Sequence, residues 1–173
     1  MMIDPRHKLV FPCLLACLLS LPAFAEKADR SKPINLEADS VTLDDIKKIG
    51  VYQGNVILTE GTLMIRADRV EVIQDANGLK SVVAIGNPVS FRQKRDGVDE
   101  FVEAYAPRVE FDNTKGQLEL SGGARLRKGD DEIRGNLITY NTQTEFFKVV
   151  GEHGAQTPVG RVRITIRPKN QSK

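Results

Sequence analysis

Apolar and polar residues alternate along most of the chain between Ile34 and Ile166. The alternation is clear in Leu118-Glu119-Leu120 and again from Val162 onward, where every second side chain is apolar. A period of two is typical of β-strands that bury one face, and such strands belong to antiparallel sheets. Turn-forming residues separate the runs at intervals of about 8 to 12 residues, which favours a β-sandwich or a β-barrel. The pattern predicts an all-β fold in which two antiparallel sheets hide their apolar faces against each other.

The alternation changes phase at a recurring place. In residues 65–72, IRADRVEV, the first two apolar side chains share one face of a strand and the two valines fall on the other. Similar segments occur upstream as LEADSVTL and downstream as AYAPRVEF and EIRGNLITY. Between them lie steps that interrupt an apolar run, namely Gly54-Asn55-Val56, Gly86-Asn87-Pro88-Val89 and Gly122-Gly123-Ala124. One extra residue forms a β-bulge, which bends a strand and turns its side chains. The repeat therefore predicts a corner that keeps apolar side chains inside on both sides of the bend.

The first 25 residues have the pattern of an export signal. Basic residues Arg6 and Lys8 precede an apolar run, and Ala23-Phe24-Ala25 matches a signal-peptidase site. The apolar run is short and is interrupted by prolines, which argues against a transmembrane span. The sequence predicts a cleaved signal peptide over residues 1–25 and a flexible segment over residues 26–33.

A competing interpretation places the mature N-terminus at Cys17. Leu14-Leu15-Ala16-Cys17 resembles a lipoprotein cleavage box, which would leave a lipidated cysteine. The residues that follow stay apolar and lead into the A-x-A site, so the soluble exported form is favoured. Cys13 and Cys17 then both lie in the removed segment, and the mature chain is expected to have neither a disulfide nor a thiolate ligand.

Composition argues against several classes of protein. The chain has 25 basic and 23 acidic residues, a formal net charge of +2 and no tryptophan. A near-neutral balance argues against a nucleic-acid partner, and the lack of tryptophan argues against a platform that stacks on sugars. His153 is the one histidine after the predicted signal peptide, which is too few for a zinc site of histidines and cysteines. With no G-x-S-x-G motif either, we expect no catalytic residue, no metal site and no cofactor.

Basic residues form three groups along the sequence. They are Arg92, Lys94 and Arg95; Arg125, Arg127 and Lys128; and Arg161, Arg163 and Arg167. Arginine forks match phosphate geometry, so such groups are able to bind phosphates. Charged residues on turns and strand faces are also ordinary solvated surface, and this interpretation is favoured for all three groups.

Four segments together resemble the OstA-like periplasmic lipopolysaccharide-transport family. They are PINLEADSVTLDD, YQGNVILTEGTLMIRADRVEV, AIGNPVSFRQ and LSGGARLRKGDDEIRGNLITYN. The resemblance extends from Ile34 to Thr144, and the export signal lies where the family has one. Each segment alone is a weak signal, whereas their ordered combination is specific.

The resemblance implies an incomplete β-jellyroll, in which two antiparallel sheets open into a V. We assign this domain to residues 34–167, followed by a disordered tail over residues 168–173. The resemblance further implies that the apolar interior carries the lipid A acyl chains of lipopolysaccharide through the periplasm without a catalytic step. It implies head-to-tail copies that join the jellyrolls of the inner-membrane extraction complex and of the outer-membrane translocon.

The resemblance and the alternation together give a candidate lipid-binding groove. The resemblance assigns Ile34 and Leu36, in PINLE, and Phe91, in GNPVSF, to its apolar lining. Alternation alone adds further positions: Val56, Leu58, Ile65, Val89, Leu118, Leu120, Leu126 and Ile133. These added residues are equally suited to an ordinary sandwich core, since core and groove share one surface in such a fold.

Two other functions stay open at this point. A membrane-tethered relative in the same pathway would share the jellyroll and keep an uncleaved N-terminal span, and the A-x-A site counts against it. A periplasmic β-sandwich that binds or cleaves glycans would need an aromatic platform or a pair of carboxylates, and no pair stands out in the sequence.

Unpaired sheet edges predict self-assembly. An incomplete jellyroll leaves backbone N–H and C=O groups free on its outer strands, and these groups can add a strand from a neighbour. We expect the edge from Ile34 to Val41 to pair with a C-terminal edge, either Phe146 to Val150 or Arg161 to Ile166. Such pairing is heterologous, so it need not close into a ring.

Overall fold

The structure is a computed structural model that describes residues 32–95, 97–152 and 160–167. Several predicted features lie outside these residues: the signal peptide 1–25 with both cysteines, residues 26–31 of the flexible segment, His153 and the tail 168–173. Within the described ranges, no helix is long and apolar enough to cross a membrane.

The described part of the chain is built from β-strands and contains no α-helix. The strands are β1 Ile34–Glu37, β2 Ser40–Asp44, β3 Ile49–Glu60, β4 Leu63–Asp75, β5 Gly78–Lys94, β6 Phe101–Asp112, β7 Gln117–Lys128, β8 Asp131–Asn141, β9 Phe147–Val150 and β10 Arg163–Thr165. Neighbouring strands pair antiparallel, as the alternation predicts. Their order is β1-β3-β4-β5-β6-β7-β8-β10, and β2 also pairs with β3 and β9 with β8.

The hydrogen-bond register shifts along one line that crosses the central strands β3 to β8. Each glycine step places extra residues opposite a single residue: Gly54-Asn55 opposite Asp68, Gly86 to Pro88 opposite Pro107, and Gly122-Gly123 opposite Asn136. The predicted corner is therefore confirmed. Apolar side chains before and after the bend, such as Ala67 and Val70, lie in the same core because the alternation changes phase there.

The same line continues between β1 and β2. The backbone N–H of Asp39 donates to the carbonyl of Gly54 at 3.0 Å, and Asn55 Nδ2 donates to the Asp39 carboxylate at 3.0 Å. Gly54 has a φ of 79°, and a Cβ there would lie 2.2 Å from Asp39 Oδ2. Glycine is needed at this step because both the backbone angle and the close approach exclude a side chain.

The bend divides one continuous sheet into two halves, since β3 to β8 each cross it. We call half-sheet A the part that ends in β1 and β10, and half-sheet B the part that ends in β2 and β9. The two sheets predicted from the sequence are these two halves. The ring centroids of Phe91 in half-sheet A and Phe111 in half-sheet B are 5.6 Å apart, which shows that the two halves face each other. Apolar side chains of both halves form a single buried core, so the fold is the predicted open β-jellyroll.

The contact between Phe91 and Phe111 predicts a large contribution to stability. Phe91 is 1% exposed, so Phe91→Ala leaves a cavity between the half-sheets. We expect the free energy of unfolding to fall by about 3–5 kcal/mol. Phe146 is 69% exposed, and Phe146→Ala is the matched control, with an expected change within about 0.5 kcal/mol. Urea denaturation followed by circular dichroism measures both, and equal effects would contradict the packing described.

Candidate functional site

The structure brings the eleven predicted groove residues to one apolar interior. Nine of them are 0–3% exposed and belong to the common core: Val56, Leu58, Ile65, Val89, Phe91, Leu118, Leu120, Leu126 and Ile133. Ile34 and Leu36 are half-buried on β1 and pack against that core. The interior is therefore closed around the nine central positions and opens toward the outer strands.

Exposed apolar side chains mark both outer edges of the sheet. On the N-terminal side, Val41 and Leu43 of β2 are 52% and 60% exposed. On the C-terminal side, Val150 of β9 and Ile164 of β10 are 43% and 51% exposed. Sequence reasoning assigned none of these four to the groove. Their position in the chain could have predicted this exposure. A short first or last strand has one free edge, so its apolar side chains are covered only in part.

Ion pairs connect the two half-sheets on the side opposite the bend. Glu145, in the loop between β8 and β9, accepts hydrogen bonds from Arg95 Nε at 2.8 Å and from Lys128 Nζ at 2.7 Å. Arg95 also pairs with Glu100, and its side chain is only 15% exposed. We call these four residues the mouth cluster.

The mouth cluster shows how far the sheet folds back on itself. Lys128 ends β7 in half-sheet A, whereas the loop of Glu145 leaves half-sheet B, where Thr142 N–H donates to the Gly116 carbonyl at 2.8 Å. A straight strand of 12 residues would place Lys128 about 40 Å from Gln117. The salt bridge between Lys128 and Glu145 therefore requires the half-sheets to close on each other at this side.

The backbone of Glu145 is held in an unfavourable conformation at this contact. Its φ is 56°, a left-handed value that costs a non-glycine residue about 1–3 kcal/mol. The hydrogen bond from Lys128 and the charge of Arg95 lower the pKa of the Glu145 carboxyl below its ordinary value of 4.5. The two salt bridges offset part of the backbone cost and hold the carboxylate between the half-sheets.

Removing the charge of Glu145 is expected to weaken the contact that the mouth cluster makes between the two half-sheets. At pH 7, Glu145→Gln should lower the free energy of unfolding by about 1 kcal/mol, a modest value because solvent screens partly exposed ion pairs. Since the pKa of Glu145 is lowered on folding, this stability is present above the ordinary pKa and is lost as the pH falls through the folded pKa.

The measurement is the melting temperature of wild type and variant from pH 7 down to pH 3. The difference between the two proteins should shrink as the pH falls past 4.5, where half of the Glu145 carboxyls are protonated in the unfolded chain. Glu119→Gln, on the outer face of β7, removes the same charge outside the mouth cluster, and at pH 7 this control should change the melting temperature less than Glu145→Gln does. A Glu145→Gln difference that does not change with pH would contradict the proposed charge effect.

Arg92 and Lys94 of the first basic group and Arg127 of the second are solvated surface residues, as expected. Arg92 and Arg127 approach Glu103 at 3.7 and 3.5 Å, and Lys94 lies 2.8 Å from Asp99. Arg95 and Lys128 differ because they belong to the mouth cluster. In the described part of the chain, no group of three or more histidine, cysteine, aspartate or glutamate side chains is placed to hold a metal ion.

A bent antiparallel sheet with a closed apolar core and a free strand at each end defines the class of open β-jellyroll proteins. Residues 35–146 match the family model described as LptA/(LptD N-terminal domain) LPS transport protein, and the chain belongs to this family. The family resemblance found in the sequence is thereby confirmed.

Relatives match nearly the whole chain. The lipopolysaccharide export system protein LptH of Pseudomonas aeruginosa is 30% identical over 163 residues, which cover 92% of this chain and 93% of LptH. LptA of Escherichia coli K12 is 31% identical, with 95% and 91% covered, and LptA of Haemophilus influenzae is 33% identical, with 92% and 89% covered. The crystal structure of LptH from P. aeruginosa superposes with a TM-score of 0.71 and 29% identity, and covers 81% of this chain and 99% of that one.

Proposed function

We propose that this protein carries lipopolysaccharide through the periplasm and bridges the inner and outer membranes. The family to which it belongs supports lipopolysaccharide transport, and the LptH structure is described as the periplasmic component of a conserved lipopolysaccharide transport device. The observation that carries the proposal is the single apolar interior, which runs between both half-sheets and reaches an outer strand at each end.

The interior suits the acyl chains of lipid A. Each methylene group moved from water to an apolar surface contributes about 0.8 kcal/mol, so several long chains are strongly favoured inside. An acyl chain that enters between the half-sheets replaces apolar contacts with other apolar contacts. The net cost of opening the core around residues such as Phe91 and Leu126 is therefore smaller than the cost of exposing them to water.

Entry is easiest at the outer strands. Ile34 and Leu36 on β1 and the exposed Val41 and Leu43 on β2 flank the interior at the N-terminal edge. The mouth cluster ties the half-sheets together nearer to β8. We infer that the two halves separate more readily at the N-terminal side, and that acyl chains first contact this side or the corresponding C-terminal edge.

The strand directions allow copies to stack by simple translation. In half-sheet A, β1 runs toward the bend and β10 runs away from it. In half-sheet B, β2 runs away from the bend and β9 runs toward it. A second copy placed in the same orientation would therefore meet the first through antiparallel pairs in both halves, β10 with β1 and β9 with β2.

Such stacking would join the apolar interiors of successive copies into one path. The same two edges are suited to the jellyrolls of an inner-membrane extraction complex and an outer-membrane translocon, since backbone pairing depends little on side-chain identity. A heterologous contact of this kind extends without closing, so the number of copies is set by the distance between the two membranes.

The experiment that tests the function is lipid capture. The protein purified from its periplasm is incubated with labelled lipopolysaccharide and with labelled phosphatidylglycerol, and bound lipid is separated by gel filtration. We expect saturable binding of lipopolysaccharide and much weaker binding of the phospholipid. Equal retention of both lipids, or no retention of lipopolysaccharide, would overturn the proposal.

A further inference from the structure

Three arginines lie side by side on the outer face of half-sheet A. Arg125 of β7 is directly opposite Arg134 of β8, and Arg134 is directly opposite Arg163 of β10. Like charges at directly opposed positions of a sheet repel each other and destabilise it. Arg125 belongs to the second basic group of the sequence and Arg163 to the third, whereas Arg134 belongs to none of the three groups.

A cavity of about 470 Å³ adjoins this row next to the bend. Among the described residues, its lining includes the three arginines, Arg161 and one carboxylate, that of Glu152. The other lining residues are small or polar: Gly122, Gly123, Ala124, Gly135, Asn136 and Gly160. Four arginines and one glutamate therefore give the described lining a formal excess of positive charge.

The protein neutralises these positive charges to different degrees. The Glu132 carboxylate, which pairs with Arg134, also attracts Arg125 and Arg127. Arg134 Nε donates to Glu132 at 2.5 Å, and the Arg125 guanidinium stacks over the Tyr105 ring at 4.4 Å from its centroid. Among residues 32–95, 97–152 and 160–167, neither Arg161 nor Arg163 has an acidic partner within salt-bridge distance.

Two glycines in the cavity lining have different surroundings. Gly123 has a φ of 88°, and a Cβ added there would meet no atom within 4 Å, so the space above it is free. At Gly135, in contrast, a Cβ would lie 2.5 Å from Val149 Cγ1 and 3.0 Å from the Val150 carbonyl oxygen. Gly123 therefore leaves open space at the bulge, whereas Gly135 allows β9 to approach β8 closely.

We propose that Arg125, Arg134, Arg163 and Arg161 form a binding site for a phosphate group. The planar guanidinium fork matches a phosphate in a bidentate manner, and a dianion between opposed arginines would relieve their mutual repulsion. The volume suits a ligand larger than an ion, since small-molecule pockets span roughly 300–1,000 Å³. Glu152 is placed to accept hydrogen bonds from the hydroxyl groups of a phosphorylated sugar. The arginines lie on the outer face of half-sheet A, opposite the proposed acyl-chain groove, although the lining shares Ala124 with the apolar core.

The test is isothermal titration calorimetry on the full protein with three probes. They are inorganic phosphate, glucosamine 1-phosphate and glucosamine without phosphate. We expect both phosphate-bearing probes to bind and the plain sugar to give no heat of binding. Tighter binding of the sugar phosphate assigns the site to a phosphorylated headgroup, and equal affinities assign it to free phosphate; both results support the site.

Variants separate the arginine row from general charge. Arg125→Gln with Arg163→Gln should weaken phosphate binding at least tenfold, whereas Arg108→Gln, on half-sheet B and paired with Glu110 at 2.8 Å, should leave it unchanged. Both changes in the row relieve repulsion, so the double variant is expected to fold, which its melting curve checks. Unchanged binding in this variant, or no binding of either phosphate probe to wild type, would overturn the proposal. Lipopolysaccharide capture in the apolar interior is measured separately and can succeed even if this site fails.

Discussion

A glutamate at Leu36 should reduce lipopolysaccharide capture at least tenfold and leave the fold intact. Leu36 is half-buried on β1, pairs with Leu58 of β3 and packs against the core at the N-terminal edge of the interior. A charge there stays partly hydrated in the free protein, so the cost to stability is limited. A bound acyl chain would remove that hydration, and burying an unpaired carboxylate is costly.

Asn35→Glu is the matched control for this prediction. Asn35 precedes Leu36 on the same strand and is exposed on the opposite face. The two variants add the same charge one residue apart. A loss of lipopolysaccharide capture that is common to both therefore reflects the added charge or a change at the strand edge, and not the apolar interior. Lipid capture by gel filtration compares them at equal protein concentration. An equal loss in both variants would show that β1 does not line the lipid path.

Proline at Ile164 should weaken self-association at least tenfold. Ile164 lies in the middle of β10, the free C-terminal strand of half-sheet A, and pairs with Ile133 of β8. Proline removes a backbone donor and does not fit a paired strand, so it either blocks the outer edge or detaches β10 from β8. Ile164→Val keeps the donor and the branched side chain, and should associate as the wild type does.

A mixing experiment separates a blocked edge from a misfolded protein. The Ile164→Pro variant keeps β1 and β2, so it should still add to the C-terminal edge of wild type and end the growing stack. Light scattering over a concentration series should show longer assemblies for wild type alone than for an equal mixture. A proline variant that associates normally, or one that leaves wild-type assemblies unchanged, would show that this edge is not the joint.

Much of the fold follows from local signals in the sequence. The phase change in IRADRVEV predicts a bend because a strand with one wet face cannot otherwise keep Ala67 and Val70 in the same core. The glycine steps predict where the extra residues are inserted. What the pattern does not contain is the hydrogen bonding across the bend, and the sequence therefore predicted two sheets where one continuous sheet folds over.

The sequence predicted which residues belong to the candidate site better than it predicted how they are arranged. Alternation identifies Leu58 or Leu120 as inward-facing but does not separate a buried core from an open groove. The mouth cluster depends on contacts between distant segments, since Arg95 and Glu145 are 50 residues apart. The arginine row likewise depends on β10 returning to pair with β8, a connection that no short motif specifies.

Site-specific photo-crosslinking shows directly whether lipopolysaccharide passes through the apolar interior. A photoreactive residue is placed in turn at Ile34, Leu36 and Phe91, which face the interior, and at Glu119, which lies between the inward-facing Leu118 and Leu120. We expect lipopolysaccharide adducts at the first three positions and none above background at Glu119. Equal labelling at all four positions would contradict an internal path for the lipid.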